Sequence, residues 1–335
     1  MKPVIFGLSG LTMTADERAF FAEADPAGYI IFGRNIGTHE QLRALTDSIR
    51  ELHGRDDVLI LIDQEGGRVA RMQPPHWPTY PAGAQFDALY HIAPASAIEA
   101  IRLNAEAIAL DLNEVGINVD CLPLLDVRQA ETTSAIGDRA LGSEPLRVAA
   151  LGRATLDGLR RGGVEGIVKH MPGHGRAVVD SHMELPHVDA DAAALESDIA
   201  PFKTLNDAPM AMTAHIVYRA WDDVRPATQS PMVIDEIIRG EIGFDGLLLS
   251  DDLDMKALKG DVPTRALKSV EAGCDIALNC WGRMDEMQGI ADLLPEISKA
   301  SKVRLGGALR LVAPDAARER HSECIAKRDE LLELA

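Results

Sequence analysis

Eight short apolar runs, each followed by a turn and a helix-period stretch, set the tightest limit on what this chain can fold into. They are PVIFG (3–7), GYIIFG (28–33), VLILID (58–63), INVDCLPLLDV (117–127), EGIVKH (165–170), MAMTAHIVY (210–218), GLLLSD (246–251) and DIALNC (275–280). Runs that stay apolar without alternating suit strands buried on both faces, as in a parallel sheet. Amphipathic stretches lie between them at 38–52, 97–115, 143–161, 190–206 and 284–299. Eight strands alternating with helices predict an α/β protein, a closed (β/α)8 TIM-type barrel. A doubly wound open sheet is the structural rival, but it usually needs fewer strands, and no GxGxxG follows the first run.

The gap between the third and fourth runs is the longest. It holds RVARMQPPHWPTYPAG (68–83), whose prolines and glycine suit an ordered loop over the barrel mouth. No linker or low-complexity segment divides the chain, so residues 1–335 read as one domain. Its tail from about 300 is charged and helix-prone, from Glu323 to Leu334, and is expected to pack outside the barrel.

Composition narrows the function classes. The formal charge of −18 argues against a nucleic-acid surface or an anionic membrane surface, since both need clustered Lys and Arg. Four cysteines without a CxxC pair make neither a disulfide framework nor a thiolate zinc site, and suit a reducing compartment. The opening MKPVIFGLSG reads as a strand rather than a signal peptide, and no apolar run is long enough for a membrane span. A soluble, cytoplasmic protein is the expectation.

In such a barrel the chemistry sits where strands run out into their following loops. Those positions are polar here: Asp63-Gln64-Glu65-Gly66-Gly67-Arg68 after strand three, Asp126 and then Arg139 after strand four, Lys169-His170 after strand five, His215 after strand six, and Ser250-Asp251-Asp252 after strand seven. Any one of these alone reads as a solvated or capping residue. Converging on one mouth they are costly unless a ligand or a dense network satisfies them. Side chains alternate along a strand, so Asp251 and Asp252 point opposite ways and one of them faces the pocket axis. Asp252 or Asp254 is expected to cap the next helix.

The loop KHMPGHGRAVVDSHMELP (169–186) is the richest segment. His170 and His174 have the i, i+4 spacing of a metal pair on a helix, but Pro172 and Gly173 between them oppose a helix there. The other reading takes Asp180-Ser181-His182 as a dyad. A carboxylate two residues from an imidazole can fix its tautomer and stabilise its charged form, which suits general acid/base work.

With these residues in view, the chain resembles glycoside hydrolase family 3, and within it the single-domain bacterial β-N-acetylglucosaminidases of cell-wall recycling. The resemblance rests on IDQEGGRVARM (62–72), PLLDV (123–127), IGDRALG (136–142), KHMPGHG (169–175), DSHMELP (180–186), MTAHIVY (212–218) and IIRGEIGFDGLLLSDDLDM (237–255), which span most of the barrel in order. It implies Asp251 as catalytic nucleophile, and His182 with Asp180 as the acid/base dyad that replaces the second-domain Glu of β-glucosidase relatives. Asp63, Arg71, Arg139, Lys169 and His170 fall on residues that hold the sugar. Met171 stands where the family more usually has Phe, and Asp254 where Ser is common.

The implied reaction is retaining hydrolysis of a terminal N-acetylglucosamine from muropeptides bearing a 1,6-anhydro-N-acetylmuramic residue, with no cofactor, by a monomer. Asp251 would attack while His182, as imidazolium, protonates the leaving oxygen; neutral His182 then deprotonates water. Substrate-assisted hydrolysis using an Asp251-Asp252 pair, phosphorolysis, a metal-dependent barrel hydrolase and a non-catalytic sugar-binding barrel are the alternatives.

Overall fold

The computed structural model describes residues 1–55, 57–309 and 317–335. Its strands are β1 (Lys2–Gly7), β2 (Pro26–Ile31), β3 (Leu59–Ile62), β4 (Val119–Asp120), β5 (Glu165–Met171), β6 (His187–Val188), β7 (Met210–Thr213), β8 (Val217–Tyr218), β9 (Leu247–Asp252) and β10 (Ile276–Asn279). Eight of them close a parallel barrel in the order β1-β10-β9-β7-β5-β4-β3-β2, while β6 and β8 form a separate two-stranded pair. Each of the eight apolar runs contributes one barrel strand, so the closed (β/α)8 barrel expected from their spacing is the fold found.

Alternation explains why the runs are apolar throughout. Ile5, Ile30, Leu61, Val119, Ile167, Met210, Leu247 and Ile276 form one buried cluster that fills the barrel. Their strand neighbours Val4, Tyr29, Ile60 and Val168 belong to the layers packed beneath the helices. Both faces of the barrel strands are dry along most of their length, which a continuous apolar run satisfies.

The helices are α1 (Ala15–Ala24), α2 (His39–His53), α3 (Gly83–Ile92), α4 (Pro94–Glu114), α5 (Pro145–Arg161), α6 (Ala192–Thr204), α7 (Val262–Glu271), α8 (Met284–Leu293), α9 (Lys299–Ala308) and α10 (Ala317–Leu332). The stretch 284–299 is not one helix. It stops at Leu293 before Pro295, and α9 restarts behind Ser298, whose hydroxyl accepts from the Ser301 N–H. The fourth run also yields less strand than its length suggests. Only Val119 and Asp120 join the ladder before Pro123, which has no N–H to offer; pairing to β5 resumes around Leu124, where the Pro123 carbonyl accepts from Lys169 N at 3.1 Å and Leu125 N donates to the Lys169 carbonyl at 2.7 Å.

The tail is helical, and α10 lies against α4. Arg320 grips Glu106 and Arg328 donates to the Asn104 side chain at 3.0 Å. Tyr80, from the proline-rich loop, donates to Asp111 at 2.6 Å and meets His321 of α10 at 3.2 Å. The outer helix thereby braces a loop that reaches the barrel mouth. Among the described residues no helix is long and apolar enough to cross a membrane, and the four cysteines are buried and unpaired.

Candidate active site

The end of β3 starts a tight knot of charge. Glu65, 4% exposed, accepts two bonds from Arg139 (2.7 and 2.8 Å) and one contact from Lys169 Nζ at 2.6 Å. Asp63 meets Lys169 at 3.1 Å and Arg71 at 3.2 Å. Burial opposes the charged form of both carboxyls. The neighbouring cations outweigh it, holding Asp63 far below the usual carboxylate range and Glu65 at about 2. Burial likewise opposes the Lys169 charge, and the two carboxylates more than restore it. Gln64, buried between them, sets the course of the loop: its side chain accepts from the Arg71 and Met72 N–H groups and donates to the Met72 carbonyl. That staple brings Arg71 back over Asp63.

Asp126, from the loop after β4, is fully buried and organises the next sector. One oxygen accepts from His170 Nδ1 at 2.8 Å; the other accepts from the backbone N–H groups of His170 (3.1 Å) and His174 (2.6 Å). Burial pushes its carboxyl up, but the His170 ring and these donors hold it far down. An ionised Asp126 can only accept, so His170 carries its proton on Nδ1 and turns Nε2 outward. His174 lies behind, its ring 5.5 Å from that of His170. Burial and the His170 charge push it down to about 4.

Asp251 continues the inward register of Leu247 and Leu249 on β9. Its carboxyl sits in burial that would raise it, yet His170, His215 and the Asp252 N–H at 2.8 Å hold it below the ordinary value. Asp252 turns toward β10, accepting from Cys280 N and Asp254 N, while still bordering the cavity. Burial and the Asp254 charge push it up to about 7. Neither Asp252 nor Asp254 caps the following helix. A turn intervenes, and Asp261 caps α7 by accepting from Thr264 N at 2.9 Å. His215 is also not a pocket group. It is buried under β9, bonded to Thr228 at 2.7 Å and to the Asp252 carbonyl at 2.9 Å, and so fixes the backbone beside Asp251.

The dyad loop comes over from β5. Asp180 accepts from His182 twice, at 2.9 Å from the backbone N–H and 2.8 Å from ring Nδ1. Partial burial works against the Asp180 charge, but these bonds keep the carboxyl low, so Nδ1 holds the proton and Nε2 is free. His182 is 64% exposed and Asp180 38%. Between them Ser181 is buried, meeting His174 Nε2 at 3.2 Å. Its carbonyl and that of His182 accept from Ala257 N (3.2 Å) and Lys256 N (3.4 Å), in the loop after β9. The dyad is thus moored to the segment that follows Asp251.

One cavity of about 440 Å³ collects Asp63, Arg71, Arg139, Lys169, His170, Asp180, His182 and Asp251, a size suited to a small ligand. Glu65, His174, Phe32, Arg34 and Trp281 line it as well. From the sequence alone Glu65 is placed among the polar strand ends without a role of its own, His174 is weighed only as a metal partner of His170, and Phe32, Arg34 and Trp281 are passed over. Only the position of Trp281, directly past the last strand, could have flagged it. His170 and His174 are not on a helix, and among the described residues no group of three His, Cys, Asp or Glu could hold a metal ion.

The chain matches the family model described as glycosyl hydrolase family 3 N terminal domain over residues 5–308. It is 38% identical over 310 residues to the β-hexosaminidase of Alkalilimnicola ehrlichii, covering 91% of this chain and 88% of that one. The crystal structure of NagZ from Neisseria gonorrhoeae superposes with a TM-score of 0.89 at 31% identity, covering 100% of this chain and 98% of that one. The same relative has been solved in complex with N-trifluoroacetyl-D-glucosamine.

Proposed function

The chain belongs to glycosyl hydrolase family 3 and is a β-hexosaminidase, and we propose that it works by retention through a covalent glycosyl-enzyme on Asp251. The observation that carries this reading is the mooring of the Asp180–His182 dyad onto the loop that follows Asp251. An ionised nucleophile and a proton carrier are held at one mouth, as double displacement requires. Asp251 attacks the anomeric carbon while Nε2–H of charged His182 protonates the leaving oxygen. Neutral Nε2 then takes a proton from the water that breaks the ester, and configuration is restored. Asp63 accepts from sugar hydroxyls; Arg71, Arg139, Lys169 and His170 donate to hydroxyls and the acetamido oxygen.

We assign the substrate as muropeptides ending in N-acetylglucosamine linked to 1,6-anhydro-N-acetylmuramic acid, handled by a monomer in the cytoplasm. The amino-sugar analogue bound by the Neisseria relative supports the sugar, and four unpaired cysteines suit a reducing compartment. Intact-mass spectrometry with peptide mapping, after exposure to a 5-fluoro analogue of an activated N-acetylglucosaminide, tests the mechanism. A stable adduct on Asp251 is expected. Turnover of the ordinary nitrophenyl substrate without an adduct would point to acetamido assistance instead. Comparing products in phosphate and phosphate-free buffer separates hydrolysis from phosphorolysis.

A further inference from the structure

The residues assigned to the N-acetylglucosamine come from β3, β4, β5 and their loops, on one side of the mouth. The acid, on the loop that crosses over from β5, is moored against the loop after β9. A glycosidic oxygen protonated by His182 therefore leads the rest of the substrate out over the loops after β9 and β10. Trp281 stands there, directly past β10, lining the same cavity with 53% of its surface exposed.

Its setting is built rather than incidental. Gly282 takes a left-handed φ of +67°, and its α-carbon presses so near the Leu8 backbone that a Cβ would come within 2.8 Å of the Leu8 carbonyl carbon. The turn has one course. Arg34 donates to the carbonyls of Leu8 and of Cys280, the residue before Trp281, and its guanidinium lies 5.9 Å from the indole. Arg283, held by Asp254 and by Glu286 at 2.8 Å, lies 5.6 Å from the same ring. Two anchored cations and a fixed turn hold a large aromatic surface in water, at the rim of the cavity that holds the charged groups.

We propose that Trp281 is the aglycone subsite, an indole platform for the saccharide on the leaving side of the scissile bond. A pyranose presents an apolar C–H face beside its hydroxyl edge. A rigid indole can cover that face with little loss of side-chain freedom, as aromatic anchors do at binding surfaces. The subsite selects a saccharide leaving group over one too small to reach it. The assignment rests on the placement of Asp251 and His182 given above.

The test compares two substrates on one enzyme preparation, N-acetylglucosaminyl fluoride and the β-1,4-linked disaccharide of N-acetylglucosamine. Fluoride has no aglycone to stack and needs little protonation. In Trp281→Ala the ratio of kcat/KM, disaccharide over fluoride, is expected to fall about tenfold or more, and Trp281→Phe should recover part of it. Any misfolded fraction cancels in the ratio. An unchanged ratio, or an equal deficit in the Phe and Ala variants, overturns the subsite. Failure of the wild type to turn over the fluoride, or to form the Asp251 adduct, would instead overturn the mechanism on which the subsite rests.

Discussion

Replacing Glu65 with glutamine removes one charge from the most buried ionic knot in the site, and the structure sets the size of the effect. The glutamate is held at about 2 against 4.5 for a free side chain. That depression corresponds to about 3 kcal/mol of stability at neutral pH. The same figure follows from the general cost of breaking a buried ion pair from one side, about 3–5 kcal/mol. Glutamine keeps the shape but presents an amide where Arg139 and Lys169 both donate, leaving two buried cations with less compensation. For a chain of 335 residues the melting temperature should fall by about 4 °C, and kcat/KM by about 100-fold as the two cations proposed to bind the sugar lose their common anchor.

The pH dependence gives a sharper check. A carboxyl whose folded value is depressed contributes stability that is complete above its unfolded value, here 4.5, and is lost as pH falls toward 2. Glu65→Gln has no such group. The stability gap between wild type and variant should therefore be constant from pH 7 to about 5, then close by up to about 1.4 kcal/mol per pH unit below 4.5. Urea melts of both proteins across pH 7 to 3 measure the gap directly. A gap below about 1 kcal/mol at pH 7, or one that stays constant below pH 4.5, would refute the assignment of Glu65 as the charged tie between Arg139 and Lys169.

Asp180→Asn leaves His182 in place but removes the negative charge at Nδ1, so kcat/KM on a disaccharide should drop about 100-fold or more, and far less on a nitrophenyl glycoside whose leaving group needs little protonation. Equal losses on both substrates would contradict the acid role. His174, pushed down to about 4 against 6.5, resists protonation in the fold. Its Nδ1 has no partner among the described residues, so a charged ring would bury an unmet donor. Wild-type stability should decline as pH falls from 6.5 toward 4, by up to about 3 kcal/mol, and His174→Gln should flatten that decline; identical slopes in chemical melts would count against it.

The barrel was legible because its pattern is redundant. Eight dry strands leave eight apolar runs, and misjudging one would not change the topology. Local breaks were harder to see. Pro123 cuts β4 short inside a run that reads as continuous, and Pro295 splits what looks like one amphipathic helix, because periodicity averages over the residue that ends an element. At the mouth, strand-end chemistry located the polar cluster but not the division of labour within it. His215 reads like its neighbours, yet it lies under β9 and holds a backbone carbonyl. The spacing that made Asp252 or Asp254 a plausible helix cap missed the intervening turn and Asp261. Glu65 was hidden in a motif because its partners lie 74 and 104 residues away in sequence, a distance only the fold closes.

The site contrasts a buried charge cluster with the exposed histidine proposed as the acid, and the proposed reaction gives a reason for each. Hydrogen bonds that must distinguish one sugar from another gain strength where water is excluded, and accordingly Asp63 and Glu65 are tied to Lys169, and Asp126 to His170, in the interior. In the proposed mechanism the acid/base group must meet water between its two proton transfers, and His182 stands mostly in solvent, held by its buried neighbour Ser181. The His182 ring is among the charges that hold the Asp251 carboxyl below its ordinary value. In the proposed mechanism, esterification of Asp251 removes that negative charge before His182 takes a proton from water, so the two proton transfers take place at mouths of different charge with no rearrangement of the fold.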